Sequence, residues 1–412
     1  MRTEELWANA SDCCGCGACA ARCPRGAIVM IENQEGFVYP EIDGELCVDC
    51  GMCRRACGFQ NRYAREAVGP FYAASYRGDS SMSASAGAFY ALARTVVEAG
   101  GVVFGAAYAD DGEGLRVRHA MVGDAERLAV LQGSKYVQSD AGTCFPEVLR
   151  QLRSGREVLF SGTPCQISGL RGYLGRDWSN LVTVDLVCHG VPSEAMFRSL
   201  VASIAHERGK RVVDFRFRCK REGWGHSLLL LLLRPFGAVD ASRDEEVLVP
   251  AHESAYYDLF LGLRTLRDSC YYCPFAGRLR PGDLTVGDFW GVEANRPDVL
   301  EDGRFDTRRG VSCLLVNSDR GLEALGRLGG DLDLLEVSFD DVAKGNAQLR
   351  HPSEFPADRS LYLDAFRDGG WDAVEVLWKR RERGVSYRFK KVVKAVVPEC
   401  VLGMAKRALG GR

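Results

Sequence analysis

The stretch that decides the architecture runs from Cys13 to Cys57. It reads Cys13-Cys14-Gly15-Cys16-Gly17-Ala18-Cys19-Ala20-Ala21-Arg22-Cys23-Pro24, then Cys47-Val48-Asp49-Cys50-Gly51-Met52-Cys53-Arg54-Arg55-Ala56-Cys57. Both runs have the spacing Cys-x2-Cys-x2-Cys-x3-Cys. Two-residue gaps let three sulfurs from one tight turn face one corner set, and soft thiolate is the ligand that iron–sulfur clusters select. In runs of this spacing the fourth cysteine crosses to the other 4Fe–4S cube. The expected ligand sets are therefore Cys13, Cys16, Cys19 and Cys57 for one cube and Cys47, Cys50, Cys53 and Cys23 for the second. A pair of zinc sites is the alternative, and two full four-cysteine runs weigh against it. Gly58 stands where the first run has Pro24, and Cys14 fits neither run.

Outside this stretch the composition is that of an ordinary soluble protein. The chain has 412 residues, 46% hydrophobic and 26% charged, with a formal net charge of -2. That length allows two or three domains and a substantial core. Residues 1–12 lack the basic start and apolar stretch of a signal peptide. No run approaches the roughly 20 apolar residues of a membrane span, and Leu228 to Leu233 reads as a buried strand. The seventeen cysteines cluster at metal-ligand spacing, so a reducing cytoplasm is the expected compartment. From Lys379 to Arg412 eleven Lys and Arg face two Asp and Glu. Within it Arg388, Lys390, Lys391 and Lys394 alternate with apolar residues, a pattern able to lie on the inner face of an anionic membrane as well as on a partner. No interleaving of aromatic and basic residues points to nucleic acid.

The chain divides into four parts by pattern. Residues 1–66 read as a dicluster 4Fe–4S ferredoxin module, with Ile28 to Ile31 and Gly36 to Pro40 as short strands beside the cubes. After Gly69-Pro70 the pattern becomes α/β. Phe71 to Tyr76 and Val102 to Ala107 are expected strands around a helix at Ala88 to Glu98, and a further helix covers 145–153; the first part of the body is 67–155. A second part, 156–350, opens with a strand at Glu157 to Phe160 and a helix, followed by a strand at Leu181 to Val187. A hairpin or meander over 211–250, a helix over 252–264 and a strand at Val311 to Asn317 complete it. Residues 351–412 are expected to be a helical, basic tail. The expected fold class is thus a small ferredoxin domain followed by an α/β body with a mixed sheet and a helical tail.

Cys165 and Cys188 each follow a strand, at the carboxyl edge where open α/β sheets place their sites. With the Cys270-x2-Cys273 pair they make a four-thiolate set that suits a third cube. The pair alone could equally bind zinc or act in thiol exchange. Cys144, Cys219, Cys313 and Cys400 stand singly and read as small buried hydrophobes.

Several longer runs carry a family resemblance. Gly133-Ser134-Lys135-Tyr136-Val137-Gln138-Ser139, Ser161-Gly162-Thr163-Pro164-Cys165-Gln166, Asp185-Leu186-Val187-Cys188-His189-Gly190-Val191-Pro192-Ser193 and the run from Cys270 to Gly291 resemble the coenzyme F420 hydrogenase/dehydrogenase beta-subunit family. The resemblance implies a flavin-binding α/β body in which Cys165, Cys188, Cys270 and Cys273 ligate a third 4Fe–4S cluster near FAD. Ser83, Ser85 and Gly87, ahead of a helix, suit a pyrophosphate, although Ala86 replaces a glycine usual in the family. Lys135, Gln138, Ser139 and Asp288 are the other expected flavin contacts. The implied function is an iron–sulfur flavoprotein oxidoreductase: cubes carry single electrons, FAD pairs them, and a hydride is exchanged with coenzyme F420 or another small organic donor or acceptor. A ferredoxin or another redox protein is the expected partner. The alternative is an electron-transfer subunit that serves a partner enzyme, with surface-polysaccharide metabolism as one setting.

Overall fold

The computed structural model describes residues 6–383 except 68, 111, 113, 226 and 227. The basic segment Arg388 to Lys394 and Cys400 lie outside the described residues. A small N-terminal ferredoxin-like region precedes an α/β body with a mixed eight-stranded sheet and a helical C-terminal segment.

In the N-terminal region Ile28–Glu32 and Val38–Ile42 form an antiparallel hairpin with Met30 opposite Pro40. Each cysteine run wraps a one-turn helix, Ala18–Arg22 and Met52–Ala56. Both are entered through a left-handed glycine, Gly17 and Gly51, a conformation that glycine adopts without penalty. The doubled sequence thus becomes a doubled fold.

The body sheet runs in the order Leu332–Val337, Phe71–Tyr76, Ser312–Val316, Leu284–Asp288, Leu181–Leu186, Val158–Gly162, Val102–Asp110, Leu115–Val122. The central four strands, Leu284–Asp288 to Val102–Asp110, pair in parallel, and the remaining pairings are antiparallel. Phe71–Tyr76 points the same way as the central four, so five strands deliver their carboxyl ends to one edge. Alternate residues face opposite cores, as the pleat requires. Val103 and Leu159 pack under the helix Ala88–Glu98. Their neighbours Val102, Phe104, Val158 and Phe160 pack against the helices Phe145–Arg153 and Pro164–Leu174. A separate three-stranded sheet, Glu245–Pro250, Leu228–Pro235 and Lys210–Arg216, is the expected meander.

The structure adds two antiparallel edge strands, Leu115–Val122 and Leu332–Val337, that the sequence did not single out. The helix expected over 252–264 is shorter, Ala255–Leu261. Its N-cap is Ser254, whose hydroxyl accepts from the Tyr257 amide, and it stops at Gly262. The tail helix Arg359–Glu382 is broken at Gly369 and Gly370. Among the described residues no helix is long and apolar enough to cross a membrane.

Two devices fix the N-terminal region to the body. Arg65–Glu66 pairs antiparallel with Leu279–Arg280. The short helix Gly58–Asn61 lies on Pro164–Leu174 so closely that a Cβ on Gly58 would stand 2.0 Å from the Ser168 carbonyl oxygen.

Candidate functional site

The twelve cysteines of the two runs and the body gather as three sets. Cys23, Cys47, Cys50 and Cys53 line one cavity together with Pro24 and Val48. Cys50 is exposed, and Val48 beside it is 61% exposed, so this outer set sits at the surface. The inner set, Cys13, Cys16, Cys19 and Cys57, faces the body. Burial pushes Cys13 and Cys19 up and Cys57 up to about 12.

The third set lines a cavity of about 40 Å³, where Cys165, Cys188, Cys270 and Cys273 meet His189, Arg280 and Phe275. These cysteines arrive from three segments. Pro164–Leu174 starts with a capping box, in which the Thr163 amide donates to Gln166 Oε1 at 2.9 Å, and the box holds Cys165 in the first turn. Hydrogen bonds from Cys14 and Thr163 draw the Cys165 thiol down to about 7, and the helix start favours the same direction. Cys188 follows Leu181–Leu186 and is pushed up to about 12 by burial; Cys270 and Cys273 lie in and after the turn Asp268–Tyr272. Arg280 is buried on this cavity. It donates to Asp185 Oδ1 at 2.5 Å, to the Leu186 carbonyl at 2.6 Å and to the Phe275 carbonyl at 3.0 Å, tying two cysteine-bearing segments together. His189 Nε2 is buried without a partner.

Among the described residues no three His, Cys, Asp or Glu side chains are placed to hold a single metal ion. Four thiols around a cavity have instead the donor chemistry of a cube's ligand shell. The inner and third sets adjoin: Cys16, Cys57, Cys165 and Cys273 all pack around Cys14, Phe59 and Phe275. Cys14, which belongs to neither run, is buried at this seam against both Cys16 and Cys165.

The seven expected flavin contacts fall in three places. Ser83, Ser85, Gly87 and Asp288 lie at the carboxyl edge. Ser83 Oγ donates to Gln132 Oε1 at 2.9 Å, whereas Ser85 Oγ is buried without a partner. Gly87 (φ 87°) is needed by the chain's own packing, since a Cβ would stand 3.1 Å from Tyr76 and Ser80. Asp288 receives Trp224 Nε1 at 2.6 Å and Arg218 at 3.1 Å. Lys135 stands apart, donating to the carbonyls of Val130 (3.1 Å) and Gln132 (2.6 Å); desolvation draws it down to about 7. Gln138 and Ser139 occupy a third place and are spent inside the protein. Gln138 Nε2 donates to the Cys14 carbonyl at 2.9 Å, and Ser139 Oγ meets His119 Nδ1 at 3.0 Å. Of the singletons, Cys144 and Cys313 are buried as expected, whereas Cys219 is only half-buried. Asp283 is structural, accepting from the Thr183 amide and hydroxyl at 2.9 and 2.6 Å.

Sequence reading passed over four residues that shape these sites. Arg218, Trp224 and Arg267 lie outside every motif run, whereas Arg280 lies within the run from Cys270 to Gly291; proximity to the Cys-x2-Cys pair was the one signal for Arg267. An aromatic bridge joins the two ends of the edge: His189 packs on Phe260, Phe260 stacks on Tyr136 at 4.4 Å, and the Tyr136 hydroxyl receives Arg218, which holds Asp288.

Residues 155–334, which contain the whole third set, match the family model for the C terminus of the coenzyme F420 hydrogenase/dehydrogenase beta subunit. Residues 12–61 match the 4Fe-4S dicluster domain. Over 155–334 the chain is thus similar to the beta-subunit family, behind a stretch similar to a dicluster domain. The beta-subunit match begins just before Val158–Gly162 and ends within Leu332–Val337, so it takes in the carboxyl edge from Cys165 to Asp288. No curated protein matches the chain. Among solved structures, a chain of the F420-reducing NiFe hydrogenase complex from Methanosarcina barkeri, studied by xenon derivatization, aligns with 79% of this chain and 96% of its own length. Its identity is 16% and its TM-score 0.43.

Proposed function

We propose that this iron–sulfur protein is an oxidoreductase in which three 4Fe–4S clusters stand in series and lead to a flavin at the carboxyl edge of the sheet. The observation that carries the reading is the third cavity. Four thiols from three distant segments converge on it, one apolar cluster away from the inner set. Cys23, Cys47, Cys50 and Cys53 hold the outer cluster, where exposed Cys50 and Val48 give a redox protein access. Cys13, Cys16, Cys19 and Cys57 hold the inner one, and Cys165, Cys188, Cys270 and Cys273 the last.

Support for FAD is concentrated at Ser85 and at the wall built around Asp288, whose own carboxylate oxygens are taken by Trp224 and Arg218. Ser85 Oγ lacks a partner, and the aromatic bridge from His189 to Arg218 spans the distance between the third cavity and Asp288. Gln138 and Ser139 fit the group poorly, because their polar atoms are already engaged. When bound, FAD converts between single electrons and a hydride pair. Arg218 fixes Asp288, and Lys220 Nζ holds the Ser85 and Arg309 carbonyls at 2.7 and 2.8 Å, so this chain's own residues shape that wall. Coenzyme F420 is the hydride partner named by the matched family, and we assign it as the first candidate.

Anaerobic purification with iron, acid-labile sulfide and flavin analysis tests the reading. About twelve iron and twelve sulfide per chain are expected, falling to about eight in Cys165→Ala and staying at about twelve in Cys313→Ala. About eight iron in both the native chain and Cys165→Ala sinks the third cluster. Bleaching of bound flavin by reduced F420, compared with NADH and NADPH, decides the hydride partner.

A further inference from the structure

Arg267, 1% exposed, is with Arg280 the largest fully buried side chain among the described residues. Among the described residues no carboxylate lies within ion-pair distance of it. Its guanidinium donates to three neutral acceptors instead: the Cys13 carbonyl at 2.8 Å, the Val38 carbonyl at 2.8 Å and Gln138 Oε1 at 3.2 Å. The ring of Tyr39 lies 4.2 Å away and that of Phe37 5.5 Å. Buried ions are ordinarily paired, because removal from water is costly. The nearest anionic chemistry is the inner cysteine set: Nη2 stands 4.0 Å from Cys13 Sγ, and the charge also acts on Cys16 and Cys165.

We infer that Arg267 is the counterion of the inner cluster and the positioning residue that makes this cluster the most easily reduced of the ferredoxin pair. The inference rests on the proposed ligation of that cluster by Cys13, Cys16, Cys19 and Cys57. A four-thiolate cube is an anion that gains one further negative charge on reduction. A fixed cation at the Cys13 end, in a setting that water does not screen, favours the reduced form. The cations seen beside the outer set are exposed to solvent: Arg25 on its cavity wall and Arg55, which donates to the Cys50 carbonyl at 3.1 Å. Electrons arriving at the surface are thereby drawn inward, toward the seam at Cys14. The same guanidinium ties Val38 and Cys13 of the N-terminal region to Gln138 of the body, so one residue both docks the module and sets its polarity.

Potentiometric titration of the full chain followed by EPR tests this, with iron content measured in parallel. Native protein that contains no cluster signal fails the ligation itself and is seen before any variant is made. In Arg267→Gln the inner-cluster signal is expected to shift to lower potential while the outer cluster, as internal control, stays in place. Arg267→Lys, which keeps the charge, is expected to restore most of the shift. An unmoved inner potential in Arg267→Gln at native iron content overturns the inference, as does an equal shift of both clusters. Loss of about four irons in Arg267→Gln is read against Arg267→Lys. Retention in the lysine variant assigns the loss to the charge, and loss in both assigns it to the shape of the fork and overturns the inference.

Discussion

His119 shows what a buried polar residue does beside the candidate site. Its Nε2 meets the Ser161 carbonyl at 2.9 Å and its Nδ1 meets Ser139 Oγ, which Gln166 Nε2 also reaches at 3.1 Å. The ring stacks on Phe160 at 5.1 Å. This network braces the strand end and capping box that carry Cys165. Burial draws His119 down from 6.5 to about 4, so the folded protein favours the neutral ring. The contribution is fully present above pH 6.5 and is lost as pH falls toward 4, on the order of 3 kcal/mol across the window. His119→Phe keeps the stacking and removes the titration. It is expected to be less stable than the native chain at pH 7, and the gap in urea unfolding should narrow by on the order of 1–2 kcal/mol at pH 5. A gap independent of pH refutes the assignment. At the flavin wall, Asp288→Asn weakens the hold on Arg218 and Trp224 and is expected to lower flavin content several-fold with iron unchanged. Equal flavin content in both proteins removes Asp288 from that wall.

At the scale of elements, the seam between Gly58–Asn61 and Pro164–Leu174 is the contact most sensitive to a single methyl group. Gly58→Ala forces a Cβ against the backbone of Ser168, and overpacking against backbone costs about 1–3 kcal/mol or more. Limited proteolysis should then cleave between residues 57 and 70 faster than in the native chain, while Gly44→Ala, whose Cβ would meet nothing within 4 Å, should leave the rate unchanged. The elements differ in how readily sequence reveals them, for physical reasons. The cysteine runs are legible because ligand spacing is a local constraint that a few residues satisfy. The central strands are legible because burial on both faces makes them continuous apolar runs such as Val102-Val103-Phe104. Leu115–Val122 begins with the alternation of a half-buried strand, Leu115-Arg116-Val117-Arg118, but the buried His119 interrupts its apolar face, and in Leu332–Val337 Glu336 interrupts the alternation that Asp333 begins. Pairing, a tertiary event, makes both of them strands. The same holds for Gln138 and Ser139: their motif is visible in sequence, but their hydrogen bonds to Cys14 and His119 depend on the assembled seam.

Across the whole molecule the three cysteine sets run from surface to interior. The exposed outer set is the natural point of attack. Mild oxidation by ferricyanide is expected to remove about four irons first, with alkylation at Cys50 preceding that at Cys13 or Cys165 by peptide mapping. Simultaneous loss of all iron contradicts the order. The three sets also differ in how much chain separates their members. Every cysteine of the two ferredoxin sets has been made once residue 57 is joined, but the third set spans Cys165 to Cys273, and Arg267 lies near its far end. On the ribosome, the two N-terminal runs are therefore complete while all three segments of the third set are still to be made. On the proposed ligation, metal delivery to this chain becomes a matter of timing: the two N-terminal sites can be filled during synthesis, and the third must wait for the polypeptide to close around it.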